Sequence, residues 1–168
     1  MKKAIIALVC LPALTTSGQD RPKDVRIVVL HRGIYESVET SKVPDSHIAT
    51  GTRGLVKDIK LVKETTHVPA VIGAEFGFEY EIDGAEEGQT VKIERVDIFP
   101  GDGLHNPNAS GPRKSERITI ESAVGNTSHV LYRLDHDWEV VPGNWVLQLW
   151  HGGKKLAEVS FTLVKADR

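Results

Sequence analysis

An antiparallel β-sandwich is the fold this sequence predicts, on three observations. Apolar residues downstream of the N-terminal segment recur with a period of two over most of its length, where a helix would space them by three or four. The alternating runs are short, and clusters of Gly, Pro, Asn and Asp separate them. No convincing helical pattern lies between the runs, which argues against alternating βαβ units and for two packed sheets.

Taken in order, the first candidate strands are 25–31 and 34–38, followed by a third over 59–66. A fourth holds Phe76, Phe78, Tyr80 and Ile82 on one face with Gly77, Glu79 and Glu81 on the other, the pattern of a strand buried on one side. The turn Asp83-Gly84 closes it, Gly supplying the positive φ that a tight turn needs. In 91–99 the apolar residues begin at odd positions and move to even ones after Ile93, so a β-bulge at Glu94 or Arg95 is expected to restore the core face. A strand over 117–121 follows. Val130, Tyr132 and Leu134 alternate in the next strand, and Trp145, Leu147 and Leu149 in the one after it. The closing hairpin turns through His151-Gly152-Gly153-Lys154 into a strand with Val159, Phe161 and Leu163 on one face, Ser160 and Thr162 on the other. The count is about eight or nine strands.

Two stretches fit neither period. Residues 101–114 are expected to form a long mobile loop. Residues 39–53 are polar and broken by Pro44 and Gly51, the weakest part of a single-domain reading.

The first eighteen residues carry a different message. Lys2 and Lys3 precede an apolar run from Ala4 to Leu14, and Thr15-Thr16-Ser17-Gly18 supplies small residues for cleavage. This is the order of regions in a secretory signal peptide, expected to be cut after Gly18 and to leave residues 19–168 as one sandwich domain in the periplasm or outside the cell. The apolar run is too short to span a bilayer, and no later segment reaches the roughly 20 apolar residues a span needs. Cys10 is the only cysteine and would leave with the leader, so disulfides, thiolate metal sites and cysteine nucleophiles are not expected in the mature chain. A lipidated Cys10 fits poorly, because Leu8 and Val9 stand where small residues belong. Loss of Lys2 and Lys3 takes the 21 basic residues to 19 against 23 acidic ones, a net charge of −4. Nucleic acid, which calls for a basic footprint, is not an expected partner.

Several segments together resemble one known family. They are Leu61-Val62-Lys63-Glu64-Thr65-Thr66-His67-Val68-Pro69-Ala70, Phe76-Gly77-Phe78-Glu79-Tyr80, Asp137-Trp138-Glu139, Pro142-Gly143-Asn144-Trp145 and Gly153-Lys154-Lys155-Leu156-Ala157-Glu158. Over residues 54–164 the chain resembles a family of uncharacterised exported bacterial domains, a domain of unknown function. The resemblance implies an immunoglobulin-like fold and a periplasmic or secreted setting, and it carries no catalytic residues.

Candidate site residues are few. Asp135-His136-Asp137 sets two carboxylates around an imidazole, a grouping that on a loop can bind calcium through oxygen or a transition metal through nitrogen. The same residues before a turn are equally ordinary solvated side chains bonded to local backbone. Trp145 and Trp150 differ by an odd number, so one of them leaves the core face unless a bulge intervenes. An exposed Trp150 beside His151, together with Trp138 and His136, would offer a stacking surface for a sugar ring or an apolar side chain; the alternative is a tryptophan covering a sheet face beneath a loop. No Gly-x-Ser-x-Gly elbow and no phosphate-binding loop is present, and no cofactor is implied. The sequence favours a non-enzymatic module that binds a protein or glycan of the cell envelope through loops 101–114 and 136–144. A carbohydrate-active or metal-dependent enzyme centred on 135–137 and the tryptophans, and a structural module docking by strand-edge pairing, remain open.

Overall fold

The computed structural model describes residues 24–165; the leader read from residues 1–18 lies outside them. Nine strands form two sheets: β1 (Arg26–Pro44), β2 (Thr52–Glu64), β3 (His67–Ala70), β4 (Glu75–Asp83), β5 (Thr90–Ile98), β6 (Ser115–Ala123), β7 (Ser128–Arg133), β8 (Gly143–His151) and β9 (Lys154–Lys165). One sheet has the order β2-β1-β4-β7 and the other β3-β9-β8-β5-β6. Neighbours are antiparallel except β3 and β9, which run parallel. Among the described residues the one helical element is a short 3-10 turn, Asp137–Glu139.

The alternation read from the sequence places the core. Phe76, Phe78, Tyr80 and Ile82 of β4 face Trp145, Leu147 and Leu149 of β8 and Val159, Phe161 and Leu163 of β9 across the sandwich, all of them buried. Trp145 is the hub, with its ring centroid 4.9 Å from Tyr132, 5.1 Å from Phe99 and 5.7 Å from Phe76, all edge-on. Its indole nitrogen donates to the Val141 carbonyl at 2.9 Å. At the opposed pair Gly33 and Gly77, β1 and β4 tolerate no side chain. A Cβ at Gly33 would lie 2.0 Å from the Lys63 carbonyl oxygen, and one at Gly77 1.8 Å from that of Val130.

The structure departs from the sequence reading in five places. Segments 25–31 and 34–38 are one strand, because a bulge between Val29 and His31 bends β1 without breaking its pairing with β4. Residues 39–53, which fit neither period, form the far half of a hairpin arm, β1 pairing with β2 as far as Pro44 opposite Thr52. Residues 67–70 form a strand, β3, too short to show a period. The bulge expected at Glu94 or Arg95 is absent, β5 keeping unbroken register with both β6 and β8. Arg95 and Asp97 therefore stay on the core side and satisfy each other, Arg95 donating through Nε at 2.9 Å and Nη2 at 2.6 Å. Loop 101–114 is tied down by paired backbone bonds between Leu104 and Arg113 (2.8 and 2.9 Å), with Leu104 buried.

Candidate functional site

Beyond Tyr35, β1 has run past the start of β4, and the arm it makes with β2 crosses the outer side of the four-stranded sheet towards β6. Irregularities at Ile34/Tyr35, Glu36/Val38 and Glu39/Ser41 bend it. Its base is held by Ser37, whose hydroxyl donates to both oxygens of the buried Glu75 (2.8 and 2.9 Å), and by Arg133, which donates to the Ser37 carbonyl at 3.2 Å. Midway, Lys42 bonds Asp135 at 3.2 Å, which raises the lysine's proton affinity. At the tip the Ala49 amide donates to Glu116 at 2.7 Å, and Asn106 donates to the Ala49 carbonyl at 2.8 Å.

Between this arm and the facing edges of β6 and β7 lies a cleft of about 270 Å³. Val56 and Ile59 of the arm, Ile118 and Ile120 of β6, and Leu131 of β7 supply its apolar wall. Its polar groups are mostly engaged. Glu139 is fully buried; it accepts from the Tyr132 hydroxyl (2.8 Å) and from the amides of Asp135 (3.0 Å) and His136 (2.9 Å), so it closes the 3-10 turn. Burial still raises its carboxyl above the ordinary range. His129 lies 3.3 Å from Glu79. Glu116 stands directly across from Asp97 in the β5–β6 register. Burial, with the adjacent Asp97 charge, pushes its carboxyl up to about 7, so the group is half protonated near neutral pH. Arg53, also lining the cleft, has a buried Nε that meets no hydrogen-bond partner among the described residues.

A family model described as a domain of unknown function (DUF3859) matches residues 23–163. The chain belongs to that family. An immunoglobulin-like protein from Pseudomonas aeruginosa, known from a crystal structure, is similar at 25% identity with a TM-score of 0.62, over 85% of this chain and 98% of that one. The fold is thus an immunoglobulin-like all-β sandwich, as the resemblance implied. No curated protein matches the chain. Among the described residues no helix is long and apolar enough to cross a membrane.

Within this family fold, the residues singled out by sequence are scattered. Trp150 lies half-buried on the outer face of the five-stranded sheet, its indole donating to Gln148 at 2.8 Å while the Arg117 guanidinium sits 5.7 Å from the ring centre. His151 contacts the Lys92 carbonyl at 2.9 Å. Trp138, within the 3-10 turn, stacks on His136 at 5.3 Å. Asp135 is paired with Lys42, and no group of three or more His, Cys, Asp or Glu suited to a metal occurs among the described residues. Of these candidates only Asp135 lines the cleft. Sequence reasoning missed Arg53, Glu116 and Glu139. The parity of β6 held a usable signal for one of them, since Glu116 shares its face with Ile118 and Ile120.

Proposed function

We propose that this domain is an exported, non-enzymatic binding module whose ligand site is the cleft beneath the β1–β2 arm. The observation that carries the reading is the cleft itself, an apolar wall with a few convergent polar groups roofed by a hairpin latched at base, middle and tip. A non-enzymatic role is supported by the commitment of its carboxyl groups to structure, Glu139 to the 3-10 turn and Glu116 to the arm tip. Export is supported by the leader pattern and by a family match that begins at residue 23, after the expected cut.

The binding reading is tested by thermal unfolding against a panel of sugars, amino acids, short organic acids and peptides. A ligand present at about 100 times its Kd adds about 2.7 kcal/mol, a rise in Tm of roughly 10 °C for a domain of this size. The Ile59→Arg variant, which fills the cleft, should lose that rise, and a Trp138→Ala, Trp150→Ala double variant should keep it. Stabilisation that survives Ile59→Arg and disappears in the tryptophan variant would move the site to the aromatic surface and refute the cleft. Export is tested by N-terminal sequencing of protein recovered from the envelope, where a chain starting at Gln19 is expected and retention of Met1 rejects the leader.

A further inference from the structure

The geometry points to a small organic acid, one carboxylate on a short aliphatic body, as the ligand of this cleft, with Arg53 as its anchor. The inference rests on the cleft being a binding site and adds the chemistry of what it binds. Around the cleft, charges come with partners: Arg95 with Asp97, Arg133 with the Ser37 carbonyl and, at 4.0 Å, Glu75, and Lys42 with both Asp135 (3.2 Å) and Glu39 (3.6 Å). Arg53 stands apart, because it makes no ion pair among the described residues and its buried Nε meets no acceptor. A planar guanidinium so placed presents a fork of donors shaped for a carboxylate. The Nε is sealed from solvent, so it is the two Nη groups at the open end of that fork that would give the charge a partner on a ligand carboxylate.

Glu116 adds to the same preference. One of its oxygens takes the Ala49 amide, and near neutral pH the carboxyl carries a proton about half the time, so it can donate a second hydrogen bond to an anion. The aliphatic wall of Val56, Ile59, Ile118, Ile120 and Leu131 calls for an apolar body behind the charged head. The space, about 270 Å³, lies at the small end of ligand sites and suits a short, compact body. The charge is limited as well, since Glu39, Glu75 and Asp135 also border the cleft and would oppose a dianion such as inorganic phosphate.

The test is calorimetric titration of the purified full chain with hexanoate, hexylamine, hexanol and inorganic phosphate, on the wild type and on Arg53→Lys, Arg53→Leu and Ile59→Arg. Hexanoate should bind saturably, and hexanol and phosphate at least about 30-fold more weakly. Arg53→Lys should weaken hexanoate about tenfold, because the fork is lost and the charge kept, and Arg53→Leu by about 30-fold or more. Arg53→Gln replaces Arg53→Leu if circular dichroism shows the latter misfolded. Tighter binding of hexylamine or hexanol that Ile59→Arg abolishes would overturn the acid and keep the cleft. Hexanoate binding unchanged in every Arg53 variant would overturn Arg53 as anchor. Absence of binding by all four probes would overturn the inference, while the broader panel decides the cleft separately.

Discussion

The buried carboxyl of Glu116 makes the stability of this domain depend on pH in an unusual direction. Glu116 projects from β6 towards the interior opposite Asp97, with one oxygen on the Ala49 amide. Its proton affinity rises from the ordinary 4.5 to about 7, burial being the larger cause and the Asp97 charge the second. The folded state therefore holds this proton more tightly than the unfolded chain. Between about pH 4.5 and pH 7 the folded state binds more protons, so the contribution is complete below the unfolded value and is lost as pH rises through the folded one. At about 1.4 kcal/mol for each pH decade, the loss amounts to about 3 kcal/mol. Glu116→Gln keeps the shape and an oxygen for the Ala49 amide but has no proton to lose. Urea unfolding followed by tryptophan fluorescence from pH 4.5 to 8.5 should show the two proteins nearly equal at the acid end, with the variant gaining steadily to about 3 kcal/mol at pH 8. Parallel profiles, or a wild type that gains on the variant as pH rises, would refute the assignment of a buried, proton-retaining Glu116.

Removing Asp97 alone, as Asp97→Ala, strands the Arg95 guanidinium inside the sandwich and should cost about 3–5 kcal/mol in urea unfolding. The double replacement Arg95→Met, Asp97→Leu should recover most of that loss, because it removes the charge as well as its partner. Glu139→Ala orphans the amides of Asp135 and His136 and the Tyr132 hydroxyl. A loss of about 2 kcal/mol or more is expected in denaturant unfolding, with Glu139→Gln intermediate. Trp145→Ala empties the hub of the aromatic cluster and should lower stability by about 3–5 kcal/mol; Trp145→Phe should cost less, and equal losses for the two would argue against the edge-on packing.

Strand content was legible wherever a strand buries one face and wets the other. β4, β7, β8 and β9 alternate in polarity because their inward apolar residues meet the opposite sheet, even where an outward residue such as Glu75 or Gln148 is itself covered. The arm was not legible, since from Thr40 to Lys42 β1 is exposed at every position and no period survives. β5 misled for a physical reason: its odd positions end in a charged pair that neutralises itself, so polarity gave the wrong face for Arg95 and Asp97. The separation of the tryptophans was readable. The odd spacing of Trp145 and Trp150 put one in the core and one outside, and Arg117 lies over the outer one. That covering by a residue 33 positions away was not readable.

By itself, the sequence determined the class of fold and the composition of the core, because both follow from a local rule: a half-buried strand must alternate, and Gly, Pro and Asn must mark its ends. It also singled out Asp135. The tertiary structure alone decided where a ligand could sit. The cleft exists because a bent hairpin carries Arg53 across one sheet to the edge of the other, bringing it to a cavity shared with Glu116, 63 residues further along, and Glu139, 86 further along. A period of two records which way a side chain faces and holds no information about which distant strand end it will meet.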